Sequence, residues 1–425
     1  MIGILRKQSL LSESAIYLSS NALNALIPFA LLPILTRHLS QAEYGEVAIF
    51  QTYQVALAAV TGLSLNGAAA RKYYDLRETP GELRYYIGAC FQLLGAASVV
   101  AVVLAMLLRG QLADWLGIRP QWVLWAVAAS AAGGAVLMRM SQWQVRKEAV
   151  RYGALQVAQS ALNMGISLVL VVVFHRGADG RMFAMVSVPI ALAVIATVLL
   201  ARDHLVAMAW RPVYLKEAAR FGLPLAPHVI GLLLLTSADR IVVNRELGTA
   251  RAGVYMVAVQ IAMGLALLFD SFNSAYVPWL FDRLKRDRPN EKRTIVRLTY
   301  GYFALALVLG ASFFLIGPPA VTLIAGQSYA EAGTAIGWLG LGQAFAGMYL
   351  MVTNYIFYSK RTVSLSATTI VSALSCVAAL PWATRTWGVA GAGAAVAAAT
   401  LLRFLCSWFF ANRQHPMPWF SAWEA

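Results

Sequence analysis

The chain alternates long apolar stretches with short polar breaks. A helix needs about 20 mostly apolar residues to cross the hydrocarbon core of a bilayer. Twelve stretches meet that requirement, at roughly 15–36, 47–70, 85–108, 121–143, 152–174, 182–201, 221–243, 252–279, 298–316, 334–358, 363–383 and 387–411. The last two are separated by little more than Arg385 and Trp387. The longest connections, near 202–220, 281–297 and 317–333, are too small for an extramembrane domain. Twelve spans with short connections predict an all-α polytopic membrane protein, since a helix satisfies its own backbone in lipid.

The chain also repeats itself. Arg37-His-Leu39-Ser-Gln-Ala42-Glu-Tyr-Gly45 follows the first span, and Arg245-Glu-Leu247-Gly-Thr-Ala250-Arg-Ala-Gly253 follows the seventh. Both read R-x-L-x-x-A-x-x-G, 208 residues apart. Six spans per half is an even number, so both halves enter the membrane from the same side, as parallel repeats do. This predicts an N-terminal six-helix bundle over 1–201, a cytoplasmic linker at 202–220, a second six-helix bundle over 221–411, and a short cytoplasmic tail at 412–425.

Composition agrees with this picture. Of 425 residues, 60% are hydrophobic and 12% are charged, against about 45–50% and about 25% in an average soluble domain. That excludes a soluble enzyme and a disordered chain. The net charge of +15 would suit nucleic acid in a polar protein, but here its distribution explains it. With the N-terminus cytoplasmic, 23 of the 34 Lys and Arg residues fall in inner segments and 8 in outer ones. That bias fits the positive-inside rule and places both termini inside. The basic, apolar N-terminus resembles a signal peptide, but its apolar run is too long, so it reads as a first span that stays. Cys90, Cys376 and Cys406 each lie within apolar segments and read as small core hydrophobes rather than disulfide or metal partners.

Chemistry must then come from polar groups inside the spans. Pro28 and Pro33 in the first span, with Pro224 and Pro227 in the seventh, mark a hinge or a cavity, because proline frees a backbone carbonyl that protein or water must satisfy. Asn21 and Asn24 in the first span, Gln156 and Asn163 in the fifth, and Gln343 and Asn354 in the tenth form polar faces. Such faces turn to a hydrated lumen or to hydrogen bonds between helices. Thr362, Ser366, Thr369 and Ser372 suit the second use. Arg139, Arg403, Arg71 and Arg240 lie in or at the ends of spans. An arginine at mid-span costs about 2.5–3.5 kcal/mol on insertion scales, so it faces a cavity, meets a partner or snorkels to the headgroups. Asp239 and Asp270 are the acids, either coupling sites for H+ or Na+ or counter-ions to an arginine. No motif for metal or phosphate chemistry occurs.

Two stretches resemble the polysaccharide-export branch of the multidrug/oligosaccharidyl-lipid/polysaccharide superfamily, the Wzx-type O-antigen flippases. One is Leu32-Pro33-Ile-Leu-Thr36-Arg37-His-Leu39 with Glu43-Tyr44-Gly45. The other is Leu223-Pro224-Leu-Ala-Pro227, then Ser237-Ala-Asp239-Arg240, Leu247-Gly248 and Gly253-Val-Tyr255. The resemblance implies a fold like that of multidrug and toxin extrusion (MATE) transporters. In that fold two six-helix bundles surround a central cavity and alternate between inward- and outward-facing states. It implies an undecaprenyl-diphosphate-linked oligosaccharide as substrate, moved across the bacterial inner membrane for O-antigen, capsule or exopolysaccharide synthesis. A cationic lumen would attract the diphosphate, and Arg71, Arg139, Arg403 and Arg240 are the candidates for its lining. Partners would be the lipid-linked substrate, membrane lipids, and a polysaccharide polymerase and chain-length regulator; no nucleic acid, cofactor or covalent chemistry is expected. Between Glu13 and Arg37 the first span holds no charge, unlike lipid II flippases, and the first six spans hold no acid, unlike many drug antiporters of the superfamily. The rival readings are a drug/cation antiporter on the same fold and a membrane polysaccharide polymerase or ligase.

Overall fold

The computed structural model describes residues 2–76, 79–223, 226–286, 288–359, 363–419 and 421. Among these residues every regular element is helical. In chain order they are α1 (Ile2–His38), α2 (Gln41–Gly62), α3 (Leu65–Asp75), α4 (Pro80–Leu107), α5 (Arg109–Leu116), α6 (Pro120–Val145), α7 (Ala149–Leu168), α8 (Gly177–Arg202), α9 (Pro212–Gly222), α10 (Ala226–Leu247), α11 (Thr249–Arg286), α12 (Pro289–Ala325), α13 (Ala332–Ser359) and α14 (Val363–Gln414). The chain separates into two compact units, Met1–Ile230 and Gly231–Ala425.

Ten helical stretches are long and apolar enough to cross a membrane among the described residues. The expected count of twelve differs from this in two places. The α10 helix is not among the ten. The stretch Ser364–Gln414 counts once although its 51 residues would extend about 75 Å as a single helix, more than twice a hydrocarbon core. The backbone breaks at Gly388, with φ 63° and ψ −144°, a conformation open essentially to glycine alone. Hydrogen bonds then join the two arms in antiparallel order, Ser407 Oγ to Thr368 Oγ1 at 3.1 Å and Gln414 Nε2 to Ser364 Oγ at 2.8 Å. A hairpin forms where the sequence offered only Arg385 and Trp387 as separators.

The expected second span, 47–70, is two helices. Ser40 starts α2 with a capping box: its Oγ accepts from the Glu43 backbone N–H at 3.3 Å, and Glu43 Oε2 accepts from the Ser40 N–H at 2.9 Å. The box satisfies donors that a helix start leaves open. Leu63 and Ser64, both left-handed with φ 43° and 53°, then separate α2 from α3. Hydropathy shows the apolar run but not this break.

Most of each segment anticipated as a connection is helical. The α11 and α12 helices reach Arg286 and start at Pro289, so the basic stretch 281–297 lies largely on helix ends. Apolar windows detect only what crosses hydrocarbon, whereas the backbone ladder continues wherever water solvates the side chains. The 202–220 segment is no free tether either: it carries α9, docked on the first unit. A Cβ on Gly88 would lie 2.0 Å from the Ala207 carbonyl oxygen, and one on Gly222 would lie 2.3 Å from that of Leu63. Ala207 N–H donates to Arg84 O at 3.0 Å, Tyr214 Oη donates to Glu82 at 2.7 Å, and Arg211 reaches the same carboxylate at 3.2 Å. The bond to Glu82 pushes the Tyr214 phenol above its ordinary pKa.

The two copies of the repeat occupy equivalent junctions. Arg37–Gly45 spans the turn from α1 into α2, and Arg245–Gly253 spans that from α10 into α11. Ser40 precedes the new helix in the first, and Gly248, with φ 86°, precedes it in the second. Gly45 and Gly253 are both buried in their helices. The shared letters therefore mark a shared turn.

Candidate functional site

A partly open cavity of about 390 Å³ lies among the helices of the first unit. Its polar groups are amides and hydroxyls: Gln54, Ser64, Asn66, Ser130 and Gln159. Its room comes from small residues, since a Cβ on Gly62 or Gly133 would meet nothing within 4 Å. Gln54 is oriented by donating to the Met185 carbonyl at 3.4 Å, and Ser130 Oγ donates to Ala126 O at 2.7 Å and Gln54 O at 3.0 Å. Among the described residues the lining side chains include no charged group. Such a wall hydrogen-bonds a neutral polar guest without an ionic preference. Of these polar cavity residues, Gln159 belongs to the polar face read from the sequence of the fifth span; the others carry no such signal.

The Asn and Gln faces anticipated in the first and fifth spans meet each other. Gln156 Nε2 donates to Asn21 Oδ1 at 3.0 Å, and Ser160 Oγ donates to Asn24 Oδ1. The approach of α1 to α7 is close at Gly153, where a Cβ would fall 2.3 Å from Ser20 Oγ. Small residues at a helix crossing, flanked by interhelical hydrogen bonds, are how membrane helices associate without a hydrophobic driving force. One heptad step further on α7, Asn163 Oδ1 and Ser167 Oγ both accept from the Arg181 guanidinium. Arg181 lies in the Gly177–Arg202 span, and no carboxylate pairs with it among the described residues. The α8 helix begins at Gly177, ahead of the apolar window 182–201, so hydropathy leaves this arginine outside the span.

The arginines sort into distinct environments. Arg139 is 2% exposed, bonded to the Asp203 carboxylate and 4.3 Å over the Trp143 ring. The Asp203 carboxylate neutralises it, and the pair links α6 to the end of α8. Arg403, on α14, is partly buried and lies 4.2 Å over the Tyr349 ring, with its Nε unbonded and no carboxylate partner among the described residues. Arg240 follows Asp239 on α10; Asp239 accepts from the Arg240 backbone N–H at 2.9 Å and from Tyr255 Oη at 2.8 Å. The Asp, Arg and Tyr of the recognised sequence motif are thus one contact between α10 and α11. Arg71 ends α3, exposed, 6.0 Å from the Phe221 ring centre, at a separate small pocket.

The acids separate too. Asp239 is buried and held as above. Asp270, on α11, is exposed, and no arginine pairs with it among the described residues. One turn on, Asn273 Oδ1 accepts from Asn354 Nδ2 at 2.8 Å, which ties α11 to α13. Gln343 is partly buried on α13. Of the prolines, Pro28 and Pro33 lie inside a helix that continues through both. Pro224 is outside the described residues, and Pro227 is the second residue of α10. The structure adds an irregularity the sequence did not announce, a π-helical turn at Val169–Val173 that extends α7. Among the described residues no three His, Cys, Asp or Glu side chains group as metal ligands.

Comparison with known proteins places the fold and the family. The chain is 24% identical over 394 residues to an uncharacterized membrane protein of Haemophilus influenzae, covering 88% of this chain and 90% of that one. The structure aligns with the lipid II flippase MurJ in an inward closed conformation, at a TM-score of 0.72 and 11% identity, over 95% of this chain and 87% of that one. It aligns also with an inward-facing multidrug resistance MATE family transporter of the MOP superfamily, at a TM-score of 0.62 and 16% identity, over 94% and 97%. The fold is thus MATE-like and multi-pass in the membrane. The model of the polysaccharide biosynthesis protein family matches residues 10–283, well over half the chain, and the chain belongs to that family.

Proposed function

We propose that this protein is a flippase for undecaprenyl-diphosphate-linked oligosaccharide units, moving them across the bacterial inner membrane for surface polysaccharide synthesis. Family membership and fold support the class of activity. One observation carries the choice of cargo: each unit keeps a span arginine that no carboxylate among the described residues neutralises, Arg181 in the first and Arg403 in the second. An uncompensated guanidinium inside a membrane is costly and offsets the cost of bringing an anionic diphosphate there. The uncharged amide cavity of the first unit suits the sugars that follow it. Loops this short carry no machinery for bond-making, so the step is translocation alone. The two six-helix bundles would alternate in access, with Pro28, Pro33, Pro224 and Pro227 as hinge positions and both termini cytoplasmic. A polymerase and a chain-length regulator would act on the product.

In cells that depend on this chain for surface polysaccharide, Arg403→Ala and Arg181→Ala at wild-type protein levels should each lower export by about tenfold or more, the effect of roughly 1.4 kcal/mol. Lipid-linked units should then accumulate on the cytoplasmic leaflet, and lysine should restore part of the loss. Full export by both alanine variants would overturn the anionic-cargo reading.

One observation favours a second reading, a drug/cation antiporter: the Asp270 carboxylate is exposed on a span, with no basic partner among the described residues. In the flippase it is the proposed site for a coupling H+ or Na+. Vesicle accumulation assays separate the two, since an antiporter concentrates soluble cations and needs no lipid carrier.

A further inference from the structure

A second pocket lies at the basic end of α3, and its chemistry differs from that of the amide cavity. It holds about 230 Å³ between Arg71, Lys72 and Asp75 of α3, Tyr86 of α4, and Glu217 and Arg220 of α9, with Phe221 closing one side. Lys72 is already neutralised, its Nζ 2.6 Å from Glu217 Oε1 and 5.4 Å over the Tyr86 ring. Arg71 and Arg220 bond no carboxylate among the described residues. Three cations against two carboxylates leave one net positive charge, with two guanidinium groups open to an oxyanion and two acids able to accept from hydroxyls.

The neighbouring chain is apolar and uncovered by protein in this structure. Trp210, just before α9, and Val213, in its first turn, are 76% and 75% exposed. Met208, Tyr74 and Leu223, on the same stretches of chain, are also exposed. Tryptophan and tyrosine beside basic residues are the composition of a membrane–water interface, where rings sit at headgroup level and guanidinium groups meet lipid phosphate. The α9 helix is fixed to the first unit by the Ala207, Arg211 and Tyr214 contacts, so the pocket is preformed and needs no ordering on binding.

We propose that this pocket binds the headgroup of a singly charged, hydroxyl-bearing anionic phospholipid of the phosphatidylglycerol type. Its phosphate meets Arg71 and Arg220, its glycerol hydroxyls meet Asp75 and Glu217, and its acyl chains lie against the exposed side chains before α9. The lipid would hold α3, α4 and α9 together at the membrane surface. The proposal is independent of the cargo and requires no sugar carrier.

The test uses the full chain in nanodiscs of phosphatidylcholine alone or mixed with phosphatidylglycerol, read by thermal midpoint and by native mass spectrometry of retained lipid. Phosphatidylglycerol should raise the midpoint and be retained over phosphatidylcholine. Arg71→Ala with Arg220→Ala should weaken retention by about 30-fold, from two basic contacts at the bilayer surface, and the corresponding double lysine variant should keep most of it. Inorganic phosphate added in detergent should neither stabilise the protein nor displace the lipid. Equal retention of the two lipids by the wild-type chain would overturn the proposal, as would unchanged retention in the double alanine variant or displacement by inorganic phosphate. Since no lipid-linked sugar is present, such a failure would leave the flippase reading untouched.

Discussion

The two units are both helical but have different interiors. In the first, polar side chains meet across helices: Gln156 with Asn21, Ser160 with Asn24, Arg181 with Asn163 and Ser167, and Arg139 with Asp203. Elsewhere in this unit, glycine and alanine help to leave a cavity. In the second, rings fill a large part of the interior: Tyr300, Phe303, Phe404, Trp408 and Trp419 stand mostly edge to face, with centroids 5.2 to 6.4 Å apart. Lipid tails are as apolar as leucine, so in both units packing and polar bonds, rather than burial, select the contacts. Aromatic edges fill space and favour one arrangement; small residues with amides leave room and offer bonds to a guest. The first unit accordingly offers a cavity lined by amides and hydroxyls, and the second an interior filled largely by rings.

The largest effect expected from breaking this contrast is at Arg139. Arg139→Ala removes a fully buried partner of Asp203 and its stacking on Trp143, and should destabilise the protein by about 2–3 kcal/mol. That is less than a fully buried pair would lose, because the Asp203 side chain is 42% exposed and water can take over part of its solvation. Thermal unfolding in detergent would read this. Arg403→Ala, in contrast, should cost transport with little change in midpoint. A result the other way round would reverse the roles assigned to the two arginines.

Next comes the hairpin of the second unit. Gly388→Val forces a branched side chain into a glycine conformation and should cost about 2 kcal/mol, seen as a lowered midpoint and reduced yield. An unchanged midpoint would mean that the turn is not held as described.

Filling the cavity tests function without touching the aromatic unit. Gly133→Leu projects into open space and should lower polysaccharide export by about tenfold, the effect of roughly 1.4 kcal/mol at a substrate site, while the unfolding midpoint holds. Full export with a filled cavity would remove the first unit from the substrate path. The smallest effect belongs to the α1–α7 seam, where a double-mutant cycle of Asn21→Ala and Gln156→Ala should yield a coupling of about 0.6 kcal/mol, typical of hydrogen bonds between membrane helices. A coupling near zero would mark these amides as lumen residues that meet only incidentally.

Much of the fold was legible in the sequence because lipid imposes simple rules. Apolar runs of span length must become helices, and the ends of α4, α6 and α13 fall within a few residues of the apolar windows. The repeat could be read because both copies build the same turn, and the motif around Asp239, Arg240 and Tyr255 because its residues touch. Charge-bearing sites were less legible. Arg139 and Arg403 look alike in a hydropathy plot, each an arginine in an apolar helix. Only one has a carboxylate within reach, and that carboxylate is 64 residues away at the end of another helix. Arg181 was missed because the helix holding it starts outside its most apolar window.

The division has a physical origin. Hydropathy is a local property, so the chain alone determined that it spans the membrane repeatedly, where most helices run, and the doubling of its halves. Partnership depends on which helix faces which, through contacts separated by tens to more than a hundred residues. Tertiary structure therefore decided that Arg139 is neutralised, that Asn21 and Asn24 bond across to α7, that the glycines of α2 and α6 leave a cavity, and that the segment after α8 docks as α9 to complete a basic pocket with α3 and α4.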